Sequence, residues 1–252
     1  MSSSLELDPI LVSYYDSIVR VSNLKTLDNS NWLDDNIITF AFEYVQNESK
    51  FLKDNQNLFA FVSPPVVQLI KMSDDLFAEQ LLQSIDFLEK KFLILPINDN
   101  RQVTEFSGSH WSLLILSIQG RNIFFFRFIN KKNTFPSEKF LYHFDSMSSL
   151  NDRTAKEMQK KLKIFFHGDI HLINSRCPQQ ANGFDCGLYV IVIVEEFCRY
   201  IQEYYSMKNL NDKKFFEKFM DEINRCITSE YINQRRKQLK TLLESMSSNK
   251  KK

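Results

Sequence analysis

Cys186 stands where the turn-rich stretch Cys177 to Asp185 meets the apolar run Leu188 to Val194, a junction that suits a nucleophile. Gly183, following Asn182, permits the positive φ that brings backbone close to a substrate, and Gly187 removes side-chain bulk directly after the sulfur. A helix starting at Cys186 would aim its first free N–H groups and its positive dipole end at that sulfur, which favours the attacking thiolate. Cys177, Cys198 and Cys226 read as inert core cysteines. A base is available in His110, at the mouth of the apolar run Trp111 to Leu116, and a carboxylate in Asp145, which closes the aromatic run Phe140 to Phe144 ahead of the turn residues Ser146 to Ser149. Adjacent strands would place Asp145 behind His110, where it fixes the imidazole tautomer while the imidazole takes the thiol proton and the sulfur attacks a carbonyl. Gln180, six residues before Cys186, offers an amide that can join the Cys186 N–H in holding the oxyanion of a tetrahedral intermediate. Gln179 reads as a solvated loop residue, and His143, on the strand that ends in Asp145, as a satisfied core or rim histidine rather than a second base.

Taken together, His110-Trp111-Ser112, the aromatic strand ending in Asp145-Ser146, and Gln180-x5-Cys186-Gly187 with Asp185 before the cysteine resemble the ubiquitin-like-protein-specific cysteine proteases, the family of the sentrin proteases. With Asn31 to Ile38 the resemblance extends, by motif order, over about residues 8 to 240. Ser13 to Ser17, Thr39 to Tyr44, Ile97 to Asn100 and Tyr231-Ile232 are similar to the deneddylase branch. The resemblance implies hydrolysis after the C-terminal di-glycine of a modifier, foremost the neddylation modifier, both to mature its precursor and to release it from conjugates such as cullins, with no cofactor and no metal. His110, Asp145, Cys186 and Gln180 would be base, orienter, nucleophile and oxyanion donor. Trp32 and Trp111 would roof a narrow tunnel over the two glycines, and Asp35 would contact the modifier tail. Only glycine leaves room for two indoles over an extended backbone, so such a tunnel rejects side chains sterically. The plainer alternative makes both Trp residues core anchors and Asp35 a charge favoured by a helix dipole. A desumoylase of the same fold and a non-catalytic modifier-binding module are the competing functions. Between His110 and Asp145 lie 34 residues, more than the branch leads one to expect, and Phe124 to Asn133 read as an insertion extending a hairpin.

Composition narrows the partners. A net charge of +1, from 32 basic and 31 acidic residues, argues against a general nucleic-acid or anionic-membrane surface and for a protein partner. The start Met1 to Glu6 lacks the apolar core of a signal peptide, and Leu188 to Val194 is too short to span a bilayer. Four cysteines without framework spacing fit a reducing compartment, so a cytoplasmic or nuclear monomer is expected. His167, His171, Cys177 and Cys186 can be written as a two-His, two-Cys metal set, but zinc modules pair their cysteines about two to four residues apart and these stand further away.

The elements that must carry these residues follow from periodicity. Without repeats or linkers, 252 residues suit one domain over residues 8–246 with flexible ends at 1–7 and 247–252. An extended piece from Tyr14 to Val21 is followed by helices at about Asp34 to Gln46, after Ser63-Pro64-Pro65, and at Leu76 to Glu89. Strands are expected at Phe92 to Ile97, His110 to Leu116, Ile123 to Ile129, Lys139 to Asp145 and near Ile170, with a helix from Asn151 to Phe166. Val190 to Val194 are β-branched and favour a strand on propensity, yet Glu195 to Tyr205 continue in helix-compatible residues, and a buried helix can be apolar all round. Helices at about Asp212 to Ile227 and Ser229 to Met246 complete the chain, with Lys213, Lys214, Arg235, Arg236 and Lys237 as wet faces. The result is an α+β cysteine-protease fold with a mixed central sheet flanked by helices and the nucleophile at the N-terminus of a buried helix. The polar loop Asn98 to Ser109, leading into His110, reads as a lid that substrate would order.

Overall fold

In the computed structural model, which describes residues 8–85, 90–102, 108–118, 139–166, 169–204 and 213–249, the chain enters through a tight hairpin. Strands β1 (Ile10–Tyr14) and β2 (Ser17–Arg20) pair antiparallel across a turn in which Tyr15 takes a left-handed φ of 47°. The single extended piece expected here is thus the second arm of a hairpin. It is followed by α1 (Val21–Lys25), α2 (Asp35–Glu48), α3 (Lys50–Asp54), β3 (Phe59–Phe61), α4 (Pro64–Met72) and α5 (Asp75–Ser84). Caps set the starts: Asp34 accepts from the Ile37 N–H before α2, Asp74 accepts from the Phe77 N–H before α5, and Pro64 occupies the first turn of α4.

The sheet is completed by β4 (Phe92–Asn98), β5 (Trp111–Ile118), β6 (Lys139–Phe144) and, after α6 (Asp152–Phe166), by β7 (His171–Ser175). Its order is β3-β4-β5-β6-β7, with parallel pairs at the two edges and antiparallel pairs in the middle. Side chains of period two divide between its faces. Phe92, Ile94, Leu113, Ile115, Phe140, Tyr142 and Phe144 join one core with α2, α7 (Cys186–Tyr204), α8 (Lys213–Cys226) and α9 (Ser229–Asn249). Leu93, Leu95, Ile97, Leu114, Leu116 and Leu141 form the other with α4, α5 and α6. A mixed sheet between two layers of helices is the architecture expected from the sequence.

Helix α7 resolves the conflict at Val190 to Val194. Every residue from Cys186 to Val194 is buried, so the segment is enclosed on all sides. A β-branched residue costs a helix about 0.5 kcal/mol, whereas burying its side chain returns about 1.5–3 kcal/mol, so burial decides the outcome. The aromatic surplus lies in the same layer: Tyr142 stacks on Phe216 with ring centres 3.7 Å apart, and Phe197 meets Phe92, Phe216 and Phe219.

Several boundaries differ from expectation. β3 and α3 are too short to show a period, α5 ends at Ser84, and α9 continues to Asn249. Ile123 to Ile129 and the Phe124 to Asn133 insertion lie outside the described residues. The wet-face reading of α9 fails at two positions: Arg236 is 2% exposed, and Arg235 is paired with Glu195 at 2.5 Å, while Lys237 is exposed. Among the described residues no helix is long and apolar enough to cross a membrane.

Replacing fully buried Phe216 by Ala removes the Tyr142 stack and leaves a cavity beneath the sheet. The expected loss is about 3–5 kcal/mol of unfolding free energy in urea titration.

Candidate active site

Antiparallel pairing of β5 and β6 brings the residue before one strand and the residue after the other to the same end of the sheet. These are His110 and Asp145, and His110 Nε2 lies 2.6 Å from Asp145 Oδ1, with both side chains buried. Asp145 survives burial as a carboxylate because it is surrounded by donors: Oδ1 also accepts from the Met147 N–H (3.0 Å) and Oδ2 from the Asn151 N–H (2.9 Å). Burial alone would raise its pKa, but the hydrogen bonds from His110, Asn151 and Met147 hold it below the ordinary carboxylate value. With Nε2 committed to Asp145, buried Nδ1 is the ring nitrogen left to interact with Cys186. Burial opposes the imidazolium, yet hydrogen bonding and charge from Asp145 and Cys186 outweigh it and push the His110 pKa up to about 9. With Nε2–H given to Asp145, Nδ1 is where His110 holds the proton it shares with Cys186, and the raised pKa keeps the ring in that imidazolium form through neutral pH.

Cys186 occupies the first turn of α7, over the helix's positive end, and is 1% exposed. The turn before it is tightly bonded. Asn182 Oδ1 accepts from the N–H groups of Phe184 and Asp185 (both 3.1 Å), and Asn182 Nδ2 donates to Asp185 Oδ2 (2.7 Å). Gln180 receives Ser146 Oγ on Oε1 (2.7 Å) and donates through Nε2 to the Asn182 carbonyl (2.6 Å), which leaves one amide hydrogen for a ligand. Gln179 is exposed but is no mere solvated residue: it accepts from the Ser148 N–H and hydroxyl and donates to the Asp145 and Cys177 carbonyls, bracing the turn after Asp145.

Trp32, Asp35, Trp111 and Cys186 line one cleft of about 440 Å³. Trp111 is half-buried and its Nε1 donates to the Leu33 carbonyl (3.0 Å), whereas Trp32 is 52% exposed and donates to the Gly183 carbonyl (2.7 Å). An indole so exposed is not a core anchor. Asp34 caps α2 and bonds Asn23, so that Asp35 is left beside the cleft in the helix's first turn. The glycines act differently from the expectation. Gly183 does not take a positive φ, and a Cβ there would meet open space; at Gly187 a Cβ would fall 2.9 Å from Leu33 Cβ. Glycine at 187 therefore lets α7 pack against the residue next to Trp32.

A model of the "Ulp1 protease family, C-terminal catalytic domain" matches residues 31–235 of this sequence. The chain belongs to the Ulp1 protease family. It is 33% identical to human sentrin-specific protease 8 over 245 residues, covering 96% of this chain and 99% of that protein. It is also 25% identical to NEDD8-specific protease 1 of Arabidopsis thaliana, over 96% and 95% of the two chains. Among solved structures, a de-sumoylating protease superposes with a TM-score of 0.63 at 20% identity over 92% of this chain and 88% of the other. The C-terminal Ulp1 protease domain in complex with Smt3 gives 0.59 at 18% identity over 96% and 90%. At those identities the superpositions establish the fold, that of a Ulp1-family cysteine protease.

Sequence reasoning missed several residues that build this Ulp1-family site. Asp99 accepts from the N–H groups of Ser109 (2.7 Å) and His110 (2.9 Å), and Asn151 donates to the His110 carbonyl (3.1 Å), so His110 is fixed at both backbone groups. Lys71 donates to the carbonyls of Asn98 (2.6 Å) and Asn100 (2.5 Å), and burial pulls its pKa down to about 8. The only signal was the polar cluster Asn98-Asp99-Asn100; the partners are remote in sequence. Residues 103–107, within the expected lid, lie outside the described residues. His143 is buried with Nε2 3.0 Å from Ser112 Oγ, a satisfied core position. Burial raises the Cys177 thiol to about 12 and also raises Cys198 and Cys226, which fits inert cysteines. Exposed His171 lies against Phe140, and His167 falls outside the described residues.

Two predictions follow from this geometry. Because the His110 pKa is raised from 6.5 to about 9, the imidazolium's contribution to stability is full below about 6.5 and is lost as pH rises through about 9. Activity that needs the imidazolium to protonate a leaving amine should fall over the same alkaline limb. Asp145→Asn should move that limb to lower pH and cut turnover by ~10² or more, read from pH–rate profiles of both proteins. Gly187→Ala should push Leu33 and Trp32 outward, raising KM by about tenfold in steady-state kinetics while Cys186 still reacts with a small alkylating agent.

Proposed function

We propose that residues 8–246 form a catalytic domain that cleaves after the C-terminal di-glycine of a ubiquitin-like modifier, most specifically NEDD8, both in its precursor and in isopeptide conjugates. The observation that carries this reading is the position of His110 between two partners, with Nε2 bonded to Asp145 and the ring held by hydrogen bonding and charge to Cys186, in a site where Cys186 opens into a cleft bounded by two indoles. The Cys186 proton passes to His110 Nδ1 and the sulfur attacks the carbonyl of the terminal glycine. The Cys186 N–H and the remaining Gln180 amide hydrogen hold the oxyanion. The imidazolium then gives its proton to the departing amine, which leaves a thioester. Water, deprotonated by His110, releases the modifier and restores the thiol.

Trp32 and Trp111 admit an extended tail without side chains, and Asp35 contacts that tail. The NEDD8-specific and sentrin-specific relatives support the choice of modifier. Ubiquitin carries an Arg near its C-terminus where the neddylation modifier carries an Ala, and a surface unable to solvate that Arg would reject ubiquitin. Conjugates such as cullins in the cytoplasm or nucleus, and action as a monomer, complete the proposal.

Labelling with C-terminally electrophilic probes built on NEDD8, ubiquitin and a SUMO-type modifier tests nucleophile and specificity in one gel. An adduct with the NEDD8 probe alone, absent from Cys186→Ala, is the expected outcome. A SUMO adduct instead would make the protein a desumoylase, and no adduct beside active controls would leave a modifier-binding module. Gln180→Ala should lower kcat by ~10²–10³ with adduct formation slowed in proportion.

A further inference from the structure

Arg236 belongs to no motif, and on α9 it follows Arg235 and precedes Lys237 in what reads as a solvated basic run. Its side chain is instead 3% exposed and paired with Asp185, itself 5% exposed. Nη2 donates to Asp185 Oδ1 (2.7 Å) and to the Asn31 carbonyl (3.1 Å). Nη1 donates to the carbonyls of Thr26 (2.9 Å) and Asp28 (3.2 Å). The guanidinium carbon lies 5.8 Å from the centre of the Phe184 ring.

These partners belong to two segments remote from each other in sequence. Thr26 to Asn31 leads directly into Trp32, and Phe184-Asp185 leads directly into Cys186. From Asp185 the contacts continue inward: Asn182 Nδ2 donates to Asp185 Oδ2, and the Asn182 carbonyl accepts from Gln180 Nε2. One guanidinium thus holds the backbone of the Trp32 wall with one set of bonds, and with another the turn that ends in Gln180 and Cys186. Both Nη atoms are fully engaged although Nε is buried without a partner, so the head is placed by what its fork grips. An ammonium could match the charge of Asp185 but has no planar fork with which to reach three carbonyls at the same time.

We propose that Arg236 is a positioning residue of the catalytic site. Its carbonyl contacts fix the Trp32 wall and therefore substrate binding; its bond to Asp185 fixes the turn of Gln180 and Cys186 and therefore turnover. The proposal rests on Cys186 as nucleophile and Trp32 as cleft wall.

The test is steady-state cleavage of a NEDD8 C-terminal fluorogenic amide by wild type, Arg236→Lys and Asp185→Asn, well below each melting temperature. Active sites are counted by titration with the NEDD8 electrophile, which removes any unfolded fraction from the comparison. Arg236→Lys keeps a cation beside Asp185 and loses the fork, so KM should rise by about tenfold with kcat within about threefold of wild type. Asp185→Asn keeps the carbonyl contacts and loses the ionic hold, so kcat should fall by about tenfold with KM within about threefold. Variants that melt earlier but keep wild-type kcat and KM per titrated site would make Arg236 purely structural and overturn the proposal, as would equal losses without a split. A second readout needs no turnover: in a Trp111→Phe background, acrylamide quenching of Trp32 should increase with Arg236→Lys and stay unchanged with Asp185→Asn. Failure of wild type to cleave the NEDD8 amide overturns the functional reading, and the quenching contrast then decides the role of Arg236.

Discussion

A carboxylate and an imidazole buried in contact have to be supplied with partners from every side, and the surroundings of His110 and Asp145 are arranged to do so. Asp145 draws donors from the turn that follows it, where Ser149 takes a left-handed φ of 73° and the chain returns with the Asn151 N–H pointing at the carboxylate. His110 is fixed through its own backbone, its N–H on Asp99 and its carbonyl on Asn151. The charges stay buried because the hydrogen bonds outweigh desolvation, and the raised His110 pKa and lowered Asp145 pKa are two signs of one contact. Antiparallel pairing of β5 and β6 is what makes the contact geometrically possible.

The placement of Cys186 depends on a different balance. A helix that is apolar on every side can begin at Cys186 only if sheet and helices enclose it, and the Phe-rich layer around Tyr142, Phe197 and Phe216 provides that enclosure. Its close approach to Leu33 requires glycine directly after Cys186. Packing of the core and shaping of the cleft are therefore not separate tasks in this protein. The helix that fills the centre also aims the sulfur and presses on the segment that carries Trp32.

The parts of the fold that were legible in the sequence are those whose signal is local. Alternating or continuous apolar runs marked β4, β5 and β6, Asp34 and the Ser-Pro-Pro sequence marked helix starts, and His110, Asp145 and Cys186 stood out at the ends of such runs. What stayed hidden was non-local. β3 has three residues and exists because β4 pairs with it. Asp99, Asn151 and Gln179 act on backbone and side-chain groups that topology alone brings near. Arg236 was misread because a basic run on a helix usually faces water, and nothing local distinguishes a guanidinium that meets four acceptors within the fold. Gly183 was misread for the opposite reason: a turn residue with backbone freedom does not always use it.

The cleft is assembled from segments separated by most of the chain, with Trp32 bonded to Gly183, Leu33 touching Gly187 and Arg236 tying Asn31 to Asp185. Such pairings are slow to form, because long loops must close before the contacts that reward closure can be made. Because Arg236 lies on α9, the two walls are joined only when that helix has packed, so the shape of the cleft reports on a contact about two hundred residues away from Trp32 along the chain.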